Sequence, residues 1–105
     1  MSQDLDGATR VDSGVLVEDE LKEPSMYRVI MHNDDFTTMD FVVMILRDVF
    51  RKSEREAEAI MLAVHEKGRG ICGVYPKDIA EFRVAMVAHK AQEAGFPLRC
   101  SMEEE

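Results

Sequence analysis

The stretch MYRVIMHNDDFTTMDFVVMILRDVF, residues 26–50, changes from a β-strand pattern to a helical pattern within a few positions. Residues 26–32 are rich in β-branched, aromatic and methionine side chains, which predicts a first strand. The polar run at 33–35 ends this strand, since short polar side chains compete for backbone hydrogen bonds in turns. Thr37 is the predicted N-cap of the next helix, with Asp40 three residues later. The apolar side chains of that helix recur at helical spacing: Met39, Val42, Val43, Leu46 and Phe50.

Two further helices are predicted. The second begins at Ser53, which forms a capping box with Glu56, and ends at the C-cap glycine Gly68. Its apolar face holds Ala57, Ile60, Met61 and Val64. The third begins at Pro76, whose missing N–H costs nothing at a helix start, and continues to about residue 94. Its apolar stripe holds Ala80, Val84, Val87, Ala88 and Ala91.

Two more strands complete the domain. Residues 71–75 are short, apolar and flanked by glycine, which is typical of a buried strand, and residues 98–102 alternate apolar and polar side chains, which predicts a half-exposed one. The element order is therefore β-α-α-β-α-β. This order predicts an α/β (α+β) two-layer sandwich, in which three helices cover one face of a three-stranded, mostly antiparallel sheet.

The chain has 105 residues and a formal net charge of −8. This charge disfavours nucleic-acid binding, because phosphate contacts need clustered basic residues. Residues 1–25 carry seven carboxylates against two basic side chains and are predicted to form a disordered acidic tail, followed by one domain at 26–105. No apolar run is long enough to span a bilayer, and no signal-peptide pattern opens the chain. We therefore expect a cytoplasmic monomer without membrane contact.

The chain offers few groups for catalysis. Cys72 and Cys100 match neither a disulfide framework nor a zinc ligand set. A Cys-His nucleophile pair would require Cys72 near His65, but Cys72 lies in an apolar strand like a buried hydrophobe. A metal site drawn from His32, His65, Asp34 and Asp35 would lack the usual ligand spacing. The polar run after the first strand could serve only to form a turn. His65 could be an ordinary histidine at the edge of the core, hydrogen-bonded to its neighbours. We predict no catalytic residue, no metal and no cofactor.

Several motifs, taken together, resemble those of the ClpS adaptor proteins. They are Pro24-Ser25-Met26-Tyr27, Val29-Ile30, Asn33-Asp34-Asp35, Thr37-x-Met39-x-Phe41-Val42, Met61-Leu62-Ala63-Val64-His65, Gly70-Ile71-Cys72-Gly73-Val74 and Ala85-Met86-Val87. The resemblance covers residues 24 to about 102, which is essentially the whole predicted domain. One departure is Thr38, where the family pattern commonly has proline.

The resemblance implies a non-enzymatic adaptor that recognises N-terminal degradation signals. Such a protein binds the free α-amino group and the first side chain of a substrate, Leu, Phe, Tyr or Trp, and delivers it to a ClpA-type AAA+ unfoldase with its ClpP protease. The implied binding residues for the α-amino group are Asn33, Asp34 and His65. The implied pocket for the first side chain is formed by Asp35, Thr37, Met39, Val42, Met61, Val64 and Leu98, with Met39 as a gate against β-branched residues. The implied unfoldase contacts are Asp78, Glu81 and Arg83, and the acidic tail is implied to act in delivery.

Two other hypotheses stay open on the residues alone. One is a generic protein-interaction domain of similar fold without a pocket for an N-terminal residue. The other is a small metal-dependent enzyme using His32, His65 and Asp34. The adaptor hypothesis differs from the first in a geometric requirement: three polar acceptors and a set of apolar side chains must surround one cavity.

Overall fold

The computed structural model describes residues 24–105. This part of the chain forms three strands and three helices in the predicted order. Their bounds are β1 Met26–His32, α1 Met39–Asp48, α2 Glu54–Lys67, β2 Arg69–Pro76, α3 Lys77–Ala94 and β3 Arg99–Glu104. None of the helices in the described residues is both long and apolar enough to cross a membrane. Most of the predicted acidic tail, residues 1–23, lies outside the described residues.

The sheet has β1 at its centre, in the order β2-β1-β3. Both neighbours pair with β1 in the antiparallel sense, as the mostly antiparallel prediction required. At one end of β1, His32 lies opposite Arg69 of β2 and Arg99 of β3. At the other end, Tyr27 lies opposite Tyr75 and Glu104. The carboxyl end of β1 therefore adjoins the starts of both neighbouring strands.

One face of the sheet and all three helices share a single core. Val29 and Met31, alternate residues of β1, are fully buried in it, and Cys72 of β2 joins them. The helices contribute Val42, Ile45 and Leu46 from α1, Ala57 and Val64 from α2, and Ala80, Val87 and Ala91 from α3. This arrangement confirms the predicted two-layer sandwich.

The two cysteines lie in this core as free thiols. A hydrogen bond with Cys100, together with burial, raises the pKa of Cys72 well above its ordinary value. The Cys72 thiol therefore stays protonated at neutral pH. It acts as a small core side chain, as the sequence predicted.

Both ends of α2 are as predicted. The Ser53 hydroxyl accepts the Glu56 backbone N–H at 3.1 Å, and the Glu56 carboxylate accepts the Ser53 N–H at 3.0 Å. At the other end Gly68 has φ 88°, a left-handed conformation that glycine adopts without steric cost. Its N–H donates to the Val64 carbonyl at 2.9 Å. These caps fix the length of α2.

The strand predicted to be buried at residues 71–75 is the edge strand β2. Cys72 is buried in it but Ile71 is 51% exposed, because alternate side chains point to opposite faces of the sheet and the helices cover only one.

Two further predicted details are wrong. The N-cap of α1 is Thr38, whose hydroxyl accepts the backbone N–H three residues later at 3.1 Å. Thr37 does not cap α1, because its own hydroxyl donates to Asp34. Ala88, assigned to the buried stripe of α3, is exposed. Successive helix positions are rotated by about 100°, so Ala88 lies outside the stripe that contains the buried Val87.

Candidate functional site

The loop between β1 and α1 is folded around the carboxylate of Asp34. Its Oδ1 accepts the backbone N–H groups of Phe36 at 2.8 Å and of Thr37 at 2.7 Å. Its Oδ2 accepts the Thr37 hydroxyl at 2.8 Å. Three hydrogen bonds to one carboxylate hold residues 34–37 in a defined turn. Asp34 therefore has the turn-forming role that was one interpretation of this polar run.

The same hydrogen bonds set the charge of Asp34. Partial burial favours the neutral acid, but the hydrogen bonds from Thr37 and Phe36 outweigh it, and the pKa of Asp34 lies below its ordinary value of 3.8. Asp34 is thus a fixed negative charge at neutral pH. A carboxylate offers about four acceptor positions. With three of them occupied, Asp34 retains capacity for one further donor, either a ligand group or a water molecule.

The end of β1 is joined directly to the end of α2. The backbone N–H of Asn33 donates to the Gly68 carbonyl at 3.0 Å, and the Gly68 N–H donates in turn to Val64. Since His65 follows Val64 in the last turns of α2, the two hydrogen bonds bring Asn33 and His65 to the same end of the molecule. The predicted polar residues from two distant parts of the sequence are thereby brought together.

Close packing of β2 on α2 sets the position of Val64. A Cβ atom built on Gly70 would lie 2.9 Å from Val64 Cγ2 and 3.4 Å from the Ile60 carbonyl oxygen. The first distance is shorter than real side chains tolerate, so Gly70 allows an approach that a larger residue would prevent. The Val64 side chain, 3% exposed, is held against the sheet as a result.

One cavity of about 220 Å³ lies between this loop and helices α1 and α2. Every residue of the predicted site except Leu98 lines it: Asn33, Asp34, Asp35, Thr37, Met39, Val42, Met61, Val64 and His65. The polar side chains Asn33 and His65 are exposed, whereas Val42 and Val64 are buried. The cavity therefore has a polar, solvent-facing side and an apolar interior.

The predicted residue Leu98 lies deeper, on a small cavity of about 20 Å³ next to the first. The two cavities have Asn33, Asp34, Thr37, Val42 and Val64 in common. Leu98 is 4% exposed. It therefore closes the apolar interior from the side of the sheet, immediately before β3 begins.

His32 also lines the deeper cavity, although it was not among the predicted binding residues. Its Nε2 lies 2.7 Å from the Ser101 hydroxyl of β3. Burial, together with the positive charges of Arg99 and Arg69, lowers the pKa of His32 below its ordinary value of 6.5, against a smaller opposing effect of Glu103. In the sequence, only its position next to Asn33 at the end of the strand indicated that His32 lies near the site.

The three residues predicted to contact an unfoldase lie on α3 and differ in environment. Asp78 and Glu81 are exposed and line a shallow groove with Tyr27, at the opposite end of β1 from the cavity. Arg83 is half-buried: it donates to the Val49 carbonyl, and its guanidinium carbon lies 5.4 Å from the centre of the Tyr75 ring. Arg83 thus packs against its own domain.

The residues of the metal hypothesis border two adjoining cavities: Asp34 and His65 line the larger one, and Asp34 and His32 the deeper one. Cys72 is buried beside Cys100 in the core and does not line the cavity that contains His65. Across residues 24–105, no group of three or more His, Cys, Asp or Glu side chains is arranged to hold a metal ion. The arrangement of the cavity suits the binding of a group that is cationic at one end and apolar at the other.

Comparison with protein families gives a match over most of the chain. Residues 22–101 match the sequence model of the family described as ATP-dependent Clp protease adaptor protein ClpS. The ATP-dependent Clp protease adapter protein ClpS of Oleidesulfovibrio alaskensis is 62% identical over 97 residues, which cover 92% of this chain and 93% of the relative. The protein of the same name from Nitratidesulfovibrio vulgaris is 58% identical over 93 residues, covering 89% of this chain and 93% of the relative.

A solved structure is similar in fold as well as in sequence. This is Agrobacterium tumefaciens ClpS2 bound to L-phenylalaninamide. The match has a TM-score of 0.77 and 37% sequence identity, and it covers 79% of this chain and all of that one.

Proposed function

The chain belongs to the ClpS family of Clp protease adaptors, and from this we propose that it binds the N-terminal residue of substrate polypeptides through the cavity between the β1–α1 loop and helices α1 and α2. The preferred first residues are Leu, Phe, Tyr and Trp. The observation that carries this proposal is the composition of the cavity. Three polar acceptors and an apolar interior border the same space of about 220 Å³. Such a site binds a ligand and needs no bond to be broken.

The polar side of the cavity suits an α-ammonium group. An ammonium has three N–H donors, and its burial is unfavourable unless acceptors receive them. The Asn33 amide oxygen and an unprotonated His65 nitrogen supply two. Asp34 supplies negative charge and its remaining acceptor position, directly or through a water molecule, since Phe36 and Thr37 occupy the others. An acetylated N-terminus has neither the charge nor the donors.

The apolar side suits the first side chain. Val42, Val64 and Leu98 are buried and form its walls. Burying a Leu or Phe side chain contributes roughly 1.5–3 kcal/mol, and each hydrogen bond to a charged group contributes about 1.5–3 kcal/mol. A micromolar complex needs about 8 kcal/mol. Three such hydrogen bonds sum to roughly 4.5–9 kcal/mol, which reaches that value only at the top of the range, and the apolar side chain alone falls well short of it. A free amino group and a bulky apolar side chain therefore contribute together to tight binding.

The ligand of the similar structure supports this pairing. L-phenylalaninamide, bound to Agrobacterium tumefaciens ClpS2, has a free amino group, a benzyl side chain and an amide where a following peptide bond would begin. It is thus the chemical equivalent of an N-terminal phenylalanine. At 37% identity and full coverage of that chain, the likeness is sufficient to propose the same class of ligand here.

Met39 is the proposed gate at the mouth of the cavity. It is the first residue of α1 and is 47% exposed. A side chain that branches at Cβ is widest next to the backbone, where it would meet Met39, whereas Leu and Phe are widest deeper in the cavity. We propose this contact as the reason why Val and Ile are excluded as first residues.

Delivery to a ClpA-type unfoldase with ClpP would use the other end of the domain. Asp78 and Glu81 lie near Tyr27 at the start of β1, and the cavity lies at its end. Seven residues of strand at about 3.3 Å each separate the two sites by roughly 20 Å. An unfoldase bound at α3 would therefore leave the cavity accessible. The half-buried Arg83 contributes less to this surface. The cytoplasmic location and the monomeric state stay predictions.

Fluorescence anisotropy with labelled peptides tests the proposal. A Leu-first peptide should bind with at least about tenfold higher affinity than its acetylated form, since the loss of one charged hydrogen bond costs about 1.5 kcal/mol or more. It should also bind more tightly than the Val-first form, because the contact with Met39 excludes a β-branched side chain. His65→Ala should weaken binding by a similar factor, whereas the exposed His89→Ala on α3 should not. Equal affinity for the free and acetylated peptides would support the generic interaction domain instead.

A further inference from the structure

A second and larger cavity adjoins the proposed N-terminal residue site. It is a groove of about 560 Å³ between α1 and α2. Met39 and Met61 line both the groove and the smaller cavity. The two spaces therefore adjoin at these methionine side chains, which are flexible and adapt to what they contact. We call this space the α1–α2 groove.

The floor of the α1–α2 groove is apolar and open. Val43 is half-buried within it, Met44 is 36% exposed and Leu62 is 46% exposed. With Met39 and Met61 they form one apolar surface bordered by charged residues, which is typical of an interaction site. A segment of polypeptide continuing out of the smaller cavity would cover it.

The rim of the α1–α2 groove is acidic. Among residues 24–105, the rim carries the carboxylates of Asp40, Asp48, Glu54 and Glu58 and one basic side chain, Arg47. Asp40 and Glu54 lie in first helical turns, where a carboxylate stabilises the helix dipole. Asp48 is instead the last residue of α1, where the dipole disfavours a negative charge, and Glu58 lies beyond the first turn of α2. The helix dipole accounts for neither of them.

We infer that the α1–α2 groove receives the residues that follow the first residue of the bound polypeptide, and that it selects basic side chains at the second to fourth positions. This inference rests on the proposed function, because the groove is reached from the N-terminal residue site past Met39 and Met61. Lysine and arginine fit its chemistry: their aliphatic stems cover Met44 and Leu62 while their charged ends reach the carboxylates. An extended chain advances about 3.3–3.6 Å per residue, so these positions span roughly 10 Å.

The test compares three labelled peptides that share a free N-terminal leucine. One continues with serines only, one has lysines at the second and third positions, and one has the same two lysines at the ninth and tenth. The second peptide should bind about three- to tenfold more tightly than the first, as expected for two exposed ion pairs. The third should bind like the first, because its lysines lie beyond the groove.

Two variants separate the groove from the overall charge of the protein. Asp48→Asn/Glu58→Gln removes two carboxylates of the groove and should reduce the lysine preference to less than about twofold. It should fold normally, because Asp48 lies at a helix end that disfavours its charge. Glu93→Gln/Glu105→Gln removes two exposed carboxylates elsewhere, one of them also near a helix C-terminus, and should keep the full preference.

The outcomes distinguish this inference from the proposed function. If the serine peptide binds and its acetylated form does not, but early lysines give no advantage, the α1–α2 groove has no role and the N-terminal residue site stands. A lysine preference that both double variants reduce equally would also overturn the inference, since it would reflect net charge alone. If acetylation has no effect on the binding of the serine peptide, both proposals are contradicted.

Discussion

The backbone N–H of Asn33 donates a hydrogen bond to the carbonyl oxygen of Gly68, at 3.0 Å. Through this contact the end of the central strand meets the end of α2. The left-handed conformation of Gly68 ends α2 at that point, and His65 lies in its final turns. Backbone contacts therefore bring the two parts of the proposed site together.

The packing of Gly70 against Val64 gives the first prediction. In Gly70→Ala, the added Cβ would lie 2.9 Å from Val64 Cγ2. The resulting displacement should lower the free energy of unfolding by about 1–3 kcal/mol and weaken the binding of a Leu-first peptide. Urea unfolding and peptide titration measure the two effects. Adding Val64→Ala removes the atom that clashes, so the double variant should lose less stability than the sum of the single variants. Strict additivity would show that the clash is not the cause.

The N-cap of α1 gives the second prediction. Thr38→Ala removes the hydroxyl that accepts the Phe41 N–H and should lower the free energy of unfolding by about 1 kcal/mol. Thr38→Ser keeps the acceptor and should be close to the wild type in the same urea titration. If Thr38→Ala were as stable as Thr38→Ser, the cap would contribute nothing.

The lowered pKa of His32 gives the third prediction. Because the folded protein disfavours protonated His32, the unfolded chain binds the proton more readily. The free energy of unfolding therefore has its full value only above about pH 6.5, the ordinary pKa of histidine. It decreases as the pH falls from there through the lower pKa of the folded state. His32→Gln keeps a hydrogen-bonding partner for Ser101 and does not titrate.

The measurement for His32 is urea unfolding of both proteins between pH 7.5 and 5. The wild type should lose stability relative to His32→Gln as the pH falls below about 6.5. Groups that the two proteins share cancel in the difference. A constant difference across this range would contradict the lowered pKa.

The position of Met39 gives the fourth prediction. Met39→Ala opens the mouth of the cavity and should raise the affinity for Val-first and Ile-first peptides at least several-fold, with little change for Leu-first peptides. Met86→Ala, on α3, is the control and should leave the selectivity unchanged. If Met39→Ala still excluded β-branched residues, another wall of the cavity would be the gate.

The sequence was sufficient for features that depend on local physics. The capping box of Ser53 and the glycine at 68 were readable because their hydrogen bonds join residues three or four positions apart. The N-cap of α1 was misplaced by one residue because two threonines compete, and the carboxylate of Asp34 decides between them. That choice depends on the three-dimensional path of the loop.

Features that depend on how the elements pack were not readable from the pattern. The sheet order β2-β1-β3 and the α1–α2 groove both arise from the relative placement of elements. The sequence did not indicate that Met44 and Leu62 line a groove, because whether an apolar helix residue is exposed or buried depends on which elements pack against it. The residues of the cavity were identified by family resemblance, and the contact between Asn33 and Gly68 explains why they meet.

The proposed function requires the cavity to bind a free amino group together with an apolar side chain. Titration of the isotope-labelled protein with L-phenylalaninamide, followed by NMR, measures this binding at individual residues. We predict chemical-shift changes at Asn33, Asp34, Val64 and His65, and none of comparable size with N-acetyl-L-phenylalaninamide. Equal changes with the acetylated compound, or changes confined to α3, would contradict the account.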